Sequence, residues 1–305
     1  MASPLRLTGS ITALATPFTG AGEVDLGAWR RLLEQQLGGG TQALVVAGST
    51  GEAAALHDVE YDALLRSAVE LAAGRVPVVA GTGLSNTDKT IVQTRRAAAL
   101  GADAALVVTP PYVRPTQAGL LAHFRAVADD SKVPVLLYNV PGRTGCDMQP
   151  GTAAALASHP RVCGIKEARN DPERMQALLP LRSDRFVVLS GDDPTAARAM
   201  LAGADGVVSV ASNVLPHAMR LLCELARAGD RHGAMALHGQ LVQCFDFLAV
   251  EPNPIPLKAL LARAGIGHGL RLPLTTLSDE HAGAAAEVAS RIQQIEQECR
   301  ERLAA

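Results

Sequence analysis

Short apolar runs rich in β-branched residues recur at regular intervals along this chain, and most are separated by segments whose apolar positions return every three or four residues. The runs are Ser10 to Phe18, Ala43 to Ala47, Val76 to Gly81, Ala104 to Thr109, Val133 to Tyr138, Val162 to Glu167, Phe186 to Ser190 and Gly206 to Val210. They predict about eight strands alternating with helices. Their apolar character is nearly continuous, as in Val133-Pro134-Val135-Leu136-Leu137, which parallel strands covered by helices require. Helix stops are visible at Ala98-Ala99-Leu100-Gly101 and Met200-Leu201-Ala202-Gly203, where Gly supplies the left-handed residue after a helix. From Pro216 the pattern is helical to the end, broken by Pro252, Pro254, Pro256 and a Gly-rich patch at Gly265 to Gly269.

Eight βα repeats are the number that closes a parallel barrel. The expected fold is therefore α/β, a (β/α)8 TIM barrel with a C-terminal helical extension. Residues 1–214 would form the barrel core, and 215–305 the last barrel helix and the extension. A doubly wound open sheet is the structural alternative, because it produces the same alternation.

Composition narrows the function without deciding it. The 305 residues are 48% apolar, and a formal net charge of -2 with mixed signs offers no electrostatic footprint for nucleic acid or an anionic membrane. Small molecules are the expected partners. Five scattered cysteines, Cys146, Cys163, Cys223, Cys244 and Cys299, form no C-x-x-C pair and argue for a reducing cytoplasm over a disulfide framework or a zinc site. Met1-Ala2-Ser3-Pro4 lacks a signal pattern, and no unbroken apolar run approaches ~20 residues. Eight histidines contain no H-x-H or H-E-x-x-H, so no catalytic metal is expected.

In a parallel barrel, catalytic groups sit where strands end at their C-terminal rim. The second run ends in Gly48-Ser49-Thr50-Gly51-Glu52, the fourth in Thr109-Pro110-Pro111-Tyr112, and the fifth in Tyr138-Asn139-Val140-Pro141-Gly142-Arg143. The sixth ends in Lys166-Glu167 and the seventh in Ser190-Gly191-Asp192-Asp193. Only four lysines occur, and Lys166 alone follows an apolar run. Burial disfavours an ammonium ion, and a neutral amine is what attack on a carbonyl needs. Position alone leaves open a structural ion pair with Glu167 or another rim acid. Tyr138 can relay protons or simply pack as a core tyrosine. Gly48 to Glu52 has the free amides and hydroxyls of a carboxylate nest and lacks the G-K-[ST] of a Walker A loop. Arg143 can hold a carboxylate in bidentate fashion or stay solvated. Glu52, Asp192 and Asp193 are read as loop-fixing or capping acids.

These motifs, together with Leu7-Thr8-Gly9-Ser10, Val78-Val79-Ala80-Gly81-Thr82-Gly83, Gly164-Ile165-Lys166-Glu167 and Glu251-Pro252-Asn253-Pro254, give the chain its resemblance. It resembles the dihydrodipicolinate synthase and N-acetylneuraminate lyase superfamily over nearly its whole length, and within it the synthase branch. The resemblance implies a cofactor-free enzyme, usually a homotetramer built as a dimer of dimers, in which Lys166 forms a Schiff base with pyruvate and Tyr138 shuttles protons. It further implies that Ser49 links Tyr138 to Tyr112 of an adjacent subunit and that Thr50 receives the pyruvate carboxylate. Arg143 would receive that of aspartate semialdehyde, and Gly191 and Val208 would line the pyruvate pocket.

The chain departs from the pattern in two places. Ser49 stands where synthases usually have Thr, and Gly-Ser-Thr-Gly-Glu is also similar to neuraminate lyases, which keeps an aldolase or dehydratase of another 2-oxo sugar acid as the alternative. Arg143 argues for the synthase, since the lyases generally lack it, and it bears directly on the second substrate's charge. The other departure is regulatory. Synthases inhibited by lysine bind it through a polar cluster whose matching positions here are Ala53, Ala54, Asp58, Tyr61, Ser85, Lys89 and Pro111. Lys89 places a cation where that cluster usually offers an acid, which repels the ligand's ammonium groups. Lysine is therefore expected to inhibit weakly or not at all in initial-rate assays; strong inhibition at submillimolar lysine contradicts this.

Overall fold

The computed structural model describes residues 5–305; Met1 to Pro4, counted above with the barrel core, lie outside the described residues. Eight strands, β1 (Gly9–Ala13), β2 (Ala43–Val46), β3 (Val78–Gly81), β4 (Ala104–Val108), β5 (Val135–Asn139), β6 (Val162–Glu167), β7 (Val187–Ser190) and β8 (Gly206–Ser209), pair in parallel in chain order. β8 returns to β1 through Ile11 opposite Val208. That pairing closes the barrel and removes the open-sheet alternative. Around it run α1 (Leu26–Gly38), α2 (Asp58–Ala72), α3 (Thr87–Ala99), α4 (Gln117–Asp130), the short α5 (Pro141–Thr144), α6 (Pro150–Ala157), α7 (Pro172–Leu178), α8 (Asp193–Leu201) and α9 (Pro216–Arg227). The chain ends in α10 (Arg231–Phe247), α11 (Ile255–Arg263) and α12 (Ala282–Ala304). Among the described residues, no helix is long and apolar enough to cross a membrane.

Side-chain oxygens of Asp25, Asn86, Thr116, Asp171, Asp192 and Asp230 accept backbone N–H bonds at the starts of α1, α3, α4, α7, α8 and α10. Each satisfies donors that the helix itself leaves orphaned. Two apolar layers follow from the strand period. Outward residues pack on the helices around Trp29, Leu64, Phe124 and Leu222. Inward ones, including Ile11, Val45, Val79, Leu106, Leu136, Leu189 and Val208, fill the barrel.

One apolar run is misjudged by pattern alone. The first continues to Phe18, whereas β1 stops at Ala13. The backbone N–H of Ala15 goes to the Asn213 side chain, and Pro17 has no N–H to offer. The segment stays apolar because it dives under the barrel rim, with Leu14, Ala15 and Phe18 buried.

The barrel is regular except in β6. Val135 lies opposite Val162, but Leu136 lies opposite Gly164, so one extra residue is inserted in β6. Val162 and Ile165 both face the outer layer while Cys163 faces the interior. Strict alternation from Cys163 would send Lys166 outward; the bulge reverses the phase and turns it in. Only Gly fits at the bulge, because a Cβ on Gly164 would lie 2.4 Å from the Val187 carbonyl oxygen. Gly164→Ala is expected to destabilise by ~2 kcal/mol or more through overpacking. Gly239→Ala, where an added Cβ meets nothing within 4 Å on α10, should stabilise by roughly 0.5–1 kcal/mol. Urea unfolding of both variants checks the contrast; equal stabilities would refute it.

Candidate active site

Because the bulge resets the register, Lys166 on β6 lies directly opposite Tyr138 on β5, and both side chains point into the barrel mouth. Lys166 is 5% exposed and Tyr138 6%, and the Lys166 Nζ sits 4.0 Å from the centroid of the tyrosine ring. The next residues face the other way. Glu167 accepts from Asn139 Nδ2 at 3.1 and 3.0 Å and from the Arg169 backbone N–H at 2.9 Å, so it is spent on the outside of the barrel. Burial pushes the Glu167 carboxyl up, against the opposing pull of those bonds. Among the described residues the lysine ion pair is Lys258 with Glu52, not one involving Lys166. The structural ion-pair alternative for Lys166 therefore fails, and a buried amine is left beside a phenol.

Space for that amine comes from β7. A Cβ on Gly191 would stand 2.8 Å from Lys166 Cε and 3.0 Å from its Cγ, so any side chain there displaces the lysine. The Gly191 N–H is tied to the Glu167 carbonyl at 2.7 Å. Val208 on β8 is buried in the same interior layer.

On the other side of the mouth, the loop after β2 runs between two left-handed residues, Ala47 and Glu52. Among the described residues the backbone N–H groups of Ser49 and Thr50 have no acceptor, while Gly51 and Ala53 close turns onto Gly48. These two amides, beside the buried hydroxyl of Thr50, are donors left available to a carboxylate. Thr50 Oγ1 accepts from Asn253 Nδ2 at 3.0 Å, and Arg143 Nη2 donates to the Asn253 carbonyl at 2.9 Å. Asn253 thus bridges the loop to Arg143, which lies on the single turn of α5 rather than in an irregular loop.

The hydroxyls of Ser49, Tyr138 and Tyr112 are not hydrogen-bonded to one another within the chain. Tyr112 is 92% exposed, with a left-handed backbone (φ 73°) braced by its N–H bond to the Thr144 carbonyl at 3.1 Å. Thr109 Oγ1 donates to Thr144 Oγ1 at 3.1 Å and ties the same turn to β4. One chain therefore gathers Lys166, Tyr138, Ser49, Thr50, Gly191, Val208 and Arg143 at the mouth and holds Tyr112 outward. Asp192 caps α8, and Asp193 accepts from the N–H groups of Val210 and Ala211, as their reading as capping acids expected. No group of three His, Cys, Asp or Glu side chains among the described residues is arranged to hold a metal.

The model of the dihydrodipicolinate synthetase family matches residues 6–294. This chain belongs to that family. A relative from Xanthomonas campestris pv. campestris, 4-hydroxy-tetrahydrodipicolinate synthase, is 68% identical over 286 residues, covering 94% of this chain and 95% of the relative. Another of the same name, from Stenotrophomonas maltophilia, is 64% identical over 292 residues, 96% of this chain and 98% of its own. The crystal structure of the chloride-inhibited dihydrodipicolinate synthase from Acinetobacter baumannii complexed with pyruvate is 40% identical. It superposes with a TM-score of 0.92 over 94% of this chain and 99% of that one. The family's barrel and tail are thus the architecture observed here.

Sequence reasoning left Asn139, Asn253 and Lys258 without roles. Asn139 follows Tyr138 and Asn253 lies in the Glu-Pro-Asn-Pro motif, so position next to a motif was the available signal. Nothing in the pattern linked Lys258 to Glu52, which are 206 residues apart.

The tail is also pinned near the mouth by Arg271, whose guanidinium donates to Glu60 at 2.7 and 2.5 Å. Those bonds, partly opposed by burial, lower the Glu60 carboxyl from its ordinary 4.5 to about 2. A depressed folded-state value contributes stability above the unfolded value and loses it as pH falls through the folded one. Glu60→Gln should therefore cost ~1 kcal/mol at pH 7, after discounting for partial solvent screening, and close to nothing at pH 2. Urea unfolding at both pH values tests this; a pH-independent difference would contradict it.

Proposed function

We propose that this chain is a lyase that condenses pyruvate with aspartate semialdehyde to 4-hydroxy-tetrahydrodipicolinate, through a Schiff base on Lys166 and without a cofactor. The observation that carries the reading is the buried Lys166 amine, without an ion-pair partner among the described residues, in register with Tyr138; the relatives' shared name supplies the substrates. The Lys166 nitrogen attacks the keto carbon of pyruvate, and Tyr138 delivers a proton to the carbinolamine oxygen, which leaves as water. Loss of a methyl proton gives the enamine, whose carbon attacks the aldehyde. The amino group of the second substrate then attacks the imine carbon and displaces Lys166, closing the ring. Lysine and diaminopimelate biosynthesis is the setting this product implies, in the cytoplasm.

In this reading the free amides of Ser49 and Thr50 with the Thr50 side chain take the pyruvate carboxylate. Gly191 and Val208 shape the pocket around the keto carbon. Ser49 joins Tyr138 to Tyr112, which a neighbouring subunit of a homotetramer supplies; its exposure and braced left-handed backbone support that assignment. Arg143 takes the carboxylate of aspartate semialdehyde. Ser49 in place of Thr keeps the hydroxyl with a less fixed rotamer and is the one feature pointing toward a sugar-acid lyase.

The two activities separate on Arg143. Purified enzyme should consume pyruvate and aspartate semialdehyde in equal amounts by NMR and leave neuraminate and related sugar acids unchanged. Arg143→Ala should lower kcat/KM for aspartate semialdehyde ~100-fold, since a charge-assisted bidentate contact contributes about 3 kcal/mol. Turnover of sugar acids, or an indifferent Arg143→Ala, would overturn the assignment.

A further inference from the structure

Among the described residues, the most deeply buried ion pair is not used by the chemistry above. Lys258, on α11 of the C-terminal extension, places its Nζ 2.5 Å from Glu52 Oε1. The lysine side chain is 5% exposed and the glutamate 2%. The same amine lies 4.1 Å over the Phe18 ring, which Arg271 also flanks at 4.3 Å, and the Arg271 backbone N–H reaches Glu52 Oε2 at 3.3 Å. Burial pushes the Lys258 ammonium down from its usual range while Glu52 pulls it back up.

The position of Glu52 gives this pair its meaning. It is the last residue of the loop that carries Ser49 and Thr50, and it sits in a left-handed conformation that costs a side-chain-bearing residue, as does Ala47 at the other end. Internal turns alone do not hold such a loop open with two amides unpaired. Thr16 grips its middle by donating to the Gly51 carbonyl at 2.7 Å. The extension grips the rest, through Asn253 on Thr50 and Lys258 on Glu52. We infer that Lys258, acting through Glu52, is a positioning residue that fixes the Ser49–Thr50 loop in the shape that receives the substrate carboxylate. The inference rests on the reading of that loop under the proposed function. It makes the tail part of the substrate site rather than a cover packed on a barrel.

Removing the ammonium leaves a buried carboxylate without its partner, which is relieved by taking up a proton or by carrying Glu52 toward water; either way the charged grip on the end of the loop is lost. The loop amides then lose their alignment, while Lys166 and Tyr138, on β6 and β5, keep theirs. Lys258→Met should therefore raise the half-saturating pyruvate concentration ~10-fold and change kcat at saturating pyruvate by less than ~3-fold. The double variant E52Q/K258M, which removes the stranded charge as well, should return the half-saturating concentration to within ~3-fold of wild type. A folded K258M with wild-type half-saturation, or a double variant no better than K258M, overturns the inference. Should K258M fail to fold, E52Q reads the same link, with a raised half-saturation expected and an unchanged one overturning it. Wild-type enzyme that consumes no pyruvate would instead refute the underlying reading, so the two failures are distinguishable.

Discussion

The site depends on one extra residue in one strand. Every other strand of the barrel alternates regularly, and on that rule Lys166 would face the helices and Glu167 the interior. The insertion at Gly164 exchanges them, and the close approach of the Val187 carbonyl permits only glycine there. From this shift follow the pairing of Lys166 with Tyr138, the need for an empty Cβ position at Gly191, and the burial of Glu167 behind the strand. A bulge beside a reactive group is a common way to re-aim a side chain; here it decides which of two adjacent ionisable residues faces the barrel interior.

The same in-and-out division organises the polar groups. Inside lie the amine and the phenol, with the amides of Ser49 and Thr50 on the loop after β2, and among the described residues none of them has a hydrogen-bond partner. Outside lie the groups that hold them in place: Asn139 bonded to Glu167 and to Asp147, and Asp147 in turn paired with Arg174 and Arg169. Asn139 and Glu167 are register partners one step beyond Tyr138 and Lys166, so their hydrogen bonds clamp the two strands where the proposed chemistry occurs. Around the mouth the loops are held by residues distant in sequence, with the tail contributing Asn253, Lys258 and Arg271. Such a site combines unsatisfied, reactive groups with a satisfied shell, which is the arrangement preorganisation requires.

Much of this was legible in the sequence. Parallel strands carry a signature in their unbroken apolar runs, and the rim residues stand where those runs stop, so the barrel and the rim positions of Lys166, Tyr138, Thr50 and Arg143 are legible directly, whereas Val208, inside the last run, came only from the resemblance. Lys166 stood out because so few lysines compete with it. The bulge was not legible, since Val-Cys-Gly-Ile-Lys gives no sign that Gly164 is extra until its partner strand is seen. The first strand was overextended because burial under the rim produces the same apolar pattern as strand pairing. Glu52 looked like a loop acid, and it is one, but its partner lies on the tail helix, and pairings across the whole chain leave no local trace. Tyr112 marks another limit: within one chain it is an exposed aromatic, and only the resemblance gave it a role.

In the proposed chemistry the reversed phase of β6 makes Lys166, among the buried amines, the one that meets substrate. Reducing the enzyme with borohydride in the presence of pyruvate, then locating the modified peptide by mass spectrometry, tests it directly. A single adduct on Lys166 is expected, with Lys258 unmodified although it is equally buried. An adduct on Lys258, or none at all, would contradict it.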